Sequence, residues 1–207
     1  MRTLIVVDLQ NDFLPGGALA VPEGDEVIAV ANAAMPRYEL VVATRDWHPP
    51  AHISFVSQHP GKQVGEVIEL DELEQILWPD HCIRGSQGAA FPTNLQTAGL
   101  DHIVSKGIDP ARDSYSGFFD NGHRHETGLA GLLRGAGAQE LDVIGLATDV
   151  CVQATVLDAL SLGFPTRLIL AGVRGVDRQA GDSQRAIAAM QAAGAILCED
   201  LAAAERS

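Results

Sequence analysis

The stretch Glu140–Gly163, ELDVIGLATDVCVQATVLDALSLG, decides the fold. Its first half, Leu141–Ala147, is a short apolar run of the kind that makes a fully buried strand. Its second half has helical spacing, with Val152, Val156, Leu157 and Leu160 on one face. Thr148 or Asp149 is placed to cap that helix, and Gly163 with Pro165 ends it. Cys151 then falls in the first helical turn, just beyond the carboxyl end of a buried strand. Unpaired N–H groups and the positive dipole end favour a thiolate there, and helix N-termini lower cysteine pKa values to about 3.5–7.5. Two readings of Cys151 stand at this point, a nucleophile and a small buried filler.

Working outward, further apolar runs alternate with helical patterns. Thr3–Leu9 reads as a strand interrupted at Asp8, and Pro22 opens a helix carrying Val27, Ile28, Ala31 and Ala34. Leu40–Thr44 is a second strand, running into Arg45-Asp46-Trp47-His48-Pro49. The segment from there to about Gly99 is rich in loops, with a short strand at Glu66–Leu70. His102–Ser105 is a third strand, closed by Lys106-Gly107. A helix is expected over Thr127–Arg134, a strand over Thr166–Leu170, a helix over Ser183–Ala193 and a last strand over Ala195–Cys198. Unalternated apolar strands separated by helices describe an α/β domain: a doubly wound, mostly parallel sheet with helices on both faces, Rossmann-like in architecture. The 207 residues fit one such domain, 1–207.

Composition excludes several functions. The chain has 46% hydrophobic and 20% charged residues, an ordinary globular balance. Fourteen Lys and Arg against 27 Asp and Glu give a net charge of −13, which repels nucleic acid and anionic lipid. The apolar runs are too short to span a bilayer, and a strand beginning after Met1-Arg2 leaves no room for a signal peptide, so a cytoplasmic protein is expected. Three cysteines, Cys82, Cys151 and Cys198, form no paired framework. No stretch specifies an oligomeric state; a homo-oligomer is compatible with all of them.

In open parallel sheets ligands sit beyond the carboxyl ends of the strands, where strand order reverses. Four predicted strands deliver ionisable groups to that edge: Asp8, then Asp46 and His48, then Lys106, then Cys151. An Asp, a Lys and a Cys together suit covalent acyl transfer. The carboxylate serves as base once burial raises its pKa, the lysine balances negative charge, and the helix start offers N–H donors to an oxyanion. Asp46, His48 and His81 form a second set, one carboxylate and two imidazoles, which leaves positions open for water or substrate on a metal. His52 is either a further ligand or a loop histidine holding Asp46 or water. His59, His123 and His125 read as solvated, and Cys82 as buried filler. Phe13, Trp47, Trp78, Tyr115, Phe118 and Phe119 cluster in the loops expected to rim this edge, where aromatics would sandwich a flat ring or simply fill core.

Five segments carry a resemblance: VVDLQNDFLPGGAL (6–19), ATRDWHPPAHISF (43–55), LWPDHCIRGSQGAAF (77–91), KGIDPARDSYSGFFDNG (106–122) and GLATDVCVQATVLDAL (145–160). In this order they resemble the signature segments of the bacterial nicotinamidases, a family of isochorismatase-like cysteine hydrolases. The resemblance implies a six-stranded sheet and hydrolysis of nicotinamide, and of pyrazinamide, to the acid and ammonia, feeding NAD salvage. It implies Asp8, Lys106 and Cys151 as catalytic triad. Asp46, His48 and His81 would be ligands to one divalent metal, zinc first, with iron and manganese also compatible. Phe13, Trp78 and Tyr115 would line the ring pocket. The backbone N–H groups of Ala147 and Cys151 would form the oxyanion hole, behind a cis peptide between Leu146 and Ala147. The partner implied is a small aromatic amide. The alternative is another amide, ureide or isochorismate hydrolase of the same superfamily, for which the metal set is not required.

Overall fold

Strand β1 (Arg2–Val7) is the centre of the molecule, and its residues Leu4 to Val7 are wholly shielded from solvent. Alternate side chains point to opposite faces, as the two-residue repeat of a strand requires. Leu4 and Val6 join one hydrophobic cluster; Ile5 and Val7 join another on the far face. Each such residue, fully buried, contributes about 1.5–3 kcal/mol. This two-sided burial is why the strand reads as an unbroken apolar run.

The computed structural model describes residues 1–206. After β1 come α1 (Glu26–Ala34), β2 (Leu40–Asp46), the hairpin β3 (Val67–Leu70) and β4 (Leu73–Ile76), and β5 (His102–Lys106). The second half holds α2 (Leu129–Ala136), β6 (Glu140–Leu146), α3 (Gln153–Ser161), β7 (Thr166–Arg174), α4 (Asp182–Ala192), β8 (Ile196–Cys198) and α5 (Leu201–Arg206). Six strands form one sheet in the order β5-β2-β1-β6-β7-β8, and every neighbouring pair is parallel. Helix α1 and Ala204 of α5 cover the face of Leu4; α2, α3 and α4 cover the face of Ile5. The doubly wound α/β expectation is met, with the strand order reversing between β1 and β6.

Local departures have local causes. The first helix starts at Glu26 rather than Pro22, because Glu23 stands at φ 56° in the left-handed region, which no right-handed helix continues through. Neither Thr148 nor Asp149 caps the helix after β6. Residues Thr148–Val152 form a π turn before α3, and the Asp149 carboxylate instead accepts the backbone N–H groups of Val176 and Asp177, both at 2.8 Å. Strand β7 runs four residues beyond Leu170. Val67–Leu70 is a strand, but its antiparallel partner Leu73–Ile76 and the terminal helix α5 carry no periodicity strong enough to announce them. Among the described residues, no helix is long and apolar enough to cross a membrane.

Candidate active site

The four strand ends that carry ionisable residues belong to four neighbouring strands, β5, β2, β1 and β6. Lys106 ends β5, Asp46 ends β2, Asp8 follows β1 and Cys151 follows β6. Parallel register therefore lines them up along one edge.

Lys106 is the hub, only 1% exposed. Its ammonium lies 2.5 Å from Asp46 Oδ1, 2.9 Å from Asp8 Oδ2, 2.9 Å from the Ser114 carbonyl and 3.4 Å from Cys151 Sγ. Burial alone would lower its pKa, but Asp46 and Asp8 outweigh burial and hold it well above the usual lysine range. It is a fixed cation. Asp8 is fully buried and stands at φ 48°, turning the chain out of the strand. Its Oδ1 accepts the Thr44 hydroxyl at 2.7 Å. Burial raises its carboxyl above the ordinary value, and Lys106 only partly offsets this.

Cys151 does not follow the expectation of a thiolate stabilised by a helix end. Burial pushes the thiol well up, Lys106 pulls it down, and the Asp8 and Asp46 carboxylates push it up again. The resting sulfur is thus a thiol that needs a base. An oxygen of Asp8 and the sulfur lie within 4.8 Å of each other, along with an oxygen of Asp46. The residue sits in the π turn 148–152, a local widening of a helix that recurs at functional sites. The peptide between Leu146 and Ala147 at its start is cis, as the family resemblance implies. The Ala147 carbonyl accepts the N–H groups of Val150 and Val152 at 3.1 and 3.0 Å, which pins the turn.

Beside this group, Asp46 Oδ2 lies 3.6 Å from His48 Nε2 and 3.8 Å from His81 Nε2. The other ring nitrogens face carbonyls: His48 Nδ1 that of Gly107 at 2.9 Å, His81 Nδ1 that of Pro79 at 2.7 Å. A neutral imidazole that donates from Nδ1 presents a lone pair at Nε2, the arrangement that second-shell carbonyls impose on metal-binding histidines. The donor set therefore fits one divalent cation, and it lies where two buried carboxylates share a single lysine. Burial and the Asp46 charge act oppositely on His48, with Asp46 prevailing; Asp46 itself is pushed up by burial but held well below the carboxylate range by Lys106 and His48. His52 is not part of the set. Its Nδ1 meets Ser54 Oγ at 2.7 Å and its Nε2 the Arg112 carbonyl at 3.0 Å, while its ring lies 4.1 Å from that of His48.

A pocket opens onto Cys151, Asp46 and His81. Phe13, Trp78 and Tyr115 all line it, and Trp78 Nε1 donates to the Tyr115 hydroxyl at 3.2 Å. The other loop aromatics do not rim this pocket. Phe118 is core, stacked on Phe164; Phe119 stacks on His123; Trp47 lies under the Arg45 guanidinium at 3.8 Å.

Sequence reasoning missed several supports. Gln10 is fully buried; its amide accepts the Asp46 N–H at 2.7 Å and donates to the Asp46 carbonyl at 2.8 Å, fixing the backbone of Asp46 from the neighbouring strand end. A polar residue just after a wholly apolar strand was the available signal. Gly107 stands at φ 62° and a Cβ there would meet the His48 ring at 2.3 Å, so only glycine lets that carbonyl reach Nδ1.

Known proteins share the sequence and fold of this chain. The isochorismatase domain profile matches residues 2–200. The nicotinamidase of Escherichia coli K12 is 50% identical over 95% of this chain and 93% of its own. A solved Acinetobacter nicotinamidase and pyrazinamidase superposes with a TM-score of 0.92 at 44% identity, covering 95% of this chain and 94% of the other. The pyrazinamidase of Pyrococcus horikoshii, solved in complex with zinc, gives 0.77 at 38% identity over 95% and 97%. The chain belongs to the isochorismatase-domain family.

Proposed function

We propose that this protein is a nicotinamidase, hydrolysing nicotinamide to nicotinate and ammonia, with pyrazinamide as a second substrate and NAD salvage as its setting. The observation that carries the reading is one buried lysine contacting Asp8, Asp46 and Cys151, the last two of which line an aromatic pocket. The identity to nicotinamidases across nearly the whole chain supports the same substrate.

In this reading Asp8 takes the thiol proton as Cys151 Sγ attacks the carboxamide carbon. Burial raises the Asp8 carboxyl and so makes it a stronger base than an ordinary carboxylate, facing a thiol whose proton burial also holds more tightly. The N–H groups of Ala147 and Cys151 face the developing oxyanion. Asp8 returns its proton to the nitrogen, the C–N bond breaks and ammonia leaves. Asp8 then takes a proton from water as the water oxygen attacks the nicotinoyl thioester; the C–S bond breaks, Asp8 passes that proton to the Cys151 sulfur, and the acid leaves as nicotinate after giving its own proton to solvent. Lys106 stays charged throughout and holds Asp8 and the sulfur in register. Asp46, His48 and His81 would hold one divalent ion, zinc in first place, whose Lewis acidity would fix the pyridine nitrogen and draw electrons from the ring. Phe13 and Trp78 enclose the ring, with Tyr115 behind Trp78.

The test is ammonia release from nicotinamide by purified protein, beside Cys151→Ala and a chelated sample with metal restored. Activity that vanishes with the cysteine and returns with metal supports the reading. A Cys151→Ala protein that still turns over nicotinamide would sink it.

A further inference from the structure

The ring pocket has one wall that neither the triad nor the metal set explains. Val176 faces the pocket from the loop between β7 and α4. That loop is held at three points. On the inside, both oxygens of Asp149, two residues before Cys151, accept the N–H groups of Val176 and Asp177 at 2.8 Å. At its far end, the Asp177 carboxylate accepts both the N–H and the hydroxyl of Ser183, each at 2.8 Å, so the loop is also tied to the start of α4. On the outside, the exposed Arg178 reaches across to a segment 113 residues away in sequence: its guanidinium donates to the Gly65 carbonyl at 2.6 Å and lies 5.5 Å from the centroid of the Trp78 ring. Gly65 in turn donates to the Leu77 carbonyl at 2.7 Å, next to Trp78. Close packing around Gly175 leaves this path little slack, since a Cβ there would meet Ser183 Oγ at 1.8 Å.

We infer that residues 175–178 form a selectivity wall, clamped to the nucleophile's turn by Asp149 and latched across the pocket to Trp78 and Gly65 by Arg178, which limits the ring size of the amide accepted. The inference rests on the nicotinamidase reading. A nicotinamide anchored at its ring nitrogen and its carboxamide has only ring carbons 4, 5 and 6 on its free edge. Substituents there press on whatever wall faces that edge, and the cost depends on whether the wall yields. Arg178 makes it unyielding by joining the two lips of the pocket, one from the loop after β7 and one from the segment before β3. Arg178 is thus a positioning residue: it touches Trp78, not the reacting atoms.

The experiment compares wild type, Arg178→Ala and Arg178→Lys on nicotinamide and its 4-, 5- and 6-methyl derivatives, with thermal unfolding as a check on folding. Wild type should reject at least one methyl derivative, since one extra methyl in a rigid pocket costs about 10–200-fold in kcat/KM. Arg178→Ala should relax that rejection by about tenfold, mostly through KM, while kcat on nicotinamide is kept. Arg178→Lys should recover part of the discrimination, because an ammonium still reaches the Gly65 carbonyl but cannot lie flat on the indole. In a Trp47→Phe background, Arg178→Ala should also shift Trp78 emission to the red. An unchanged ranking of the four amides in folded Arg178→Ala protein overturns the wall and leaves the nicotinamidase reading standing. Absence of turnover on nicotinamide by wild type overturns both.

Discussion

Two clusters of buried charge sit at opposite ends of the same sheet, and they are built on opposite principles. At the amino end of β6, Asp142 is fully buried and accepts from Arg2 at 2.6 Å, from the Tyr38 hydroxyl at 2.5 Å and from Arg167 Nε at 2.5 Å. Arg167 also meets Glu140 at 2.9 Å. Two guanidiniums face two carboxylates, and both oxygens of Asp142 are occupied. At the carboxyl end, one ammonium serves two carboxylates and a thiol, meeting Asp8 Oδ2 at 2.9 Å. The first cluster is balanced and closed. The second is short of positive charge, so its single ammonium only partly offsets the rise that burial gives the Asp8 carboxyl. The comparison teaches that burial alone does not mark reactivity in this fold; an oversubscribed cation does.

If that contrast is right, removing the sulfur should have the largest effect and leave the fold intact. Cys151→Ala is expected to lower kcat by about 10⁴-fold or more, with a melting temperature near that of wild type, measured by ammonia release and calorimetry. A similar loss of stability and activity would erase the distinction between the two ends. Next comes Gly107→Ala, which drives a methyl into the His48 ring and pushes it off the orienting carbonyl. Metal affinity should fall about 10–100-fold, read by metal retained after dialysis against graded chelator; unchanged retention would remove Asp46, His48 and His81 as the ligand set.

The balanced end should fail in the other way. Asp142→Asn leaves two arginines facing a neutral amide, which should destabilise the fold by about 3–5 kcal/mol and lower the melting temperature by roughly 6–20 °C for a chain of this size. The kcat/KM of the surviving folded protein should stay at the wild-type value, and a selective loss of kcat would mean the two clusters communicate. The smallest effect is in the pH profile. Asp8 must be ionised to accept the thiol proton, and burial makes it hold a proton at higher pH than an ordinary carboxylate with pKa 3.8. The acid limb of kcat/KM should therefore lie above that value, activity falling as pH drops through it. A limb at or below 3.8 would assign the proton transfer to another group.

Much of the site was legible because its residues stand at the ends of unbroken apolar strands. A strand buried on both faces carries a charged residue only where a partner meets it, so the charges that stop the apolar runs, Asp8, Asp46 and Lys106, mark where β1, β2 and β5 reach the sheet edge. Gln10, the Ser114 carbonyl and Asp149 were not legible as supports. Their partners are 36, 8 and 27 or 28 residues away, across loops whose paths no local periodicity records.

The amino-acid sequence by itself determined the alternation of strands and helices, the edge on which the chemistry lies and the residue types delivered there, because these follow from which stretches can be buried. Only the tertiary structure decided which of those groups touch. It put one lysine among two carboxylates and a sulfur, turned His52 away from the metal set onto Ser54 and the Arg112 carbonyl, and placed Phe118 in the core rather than at the rim. It also reversed the expected state of Cys151: the helix start favours a thiolate, but burial, a property of the whole fold, pushes the thiol well up.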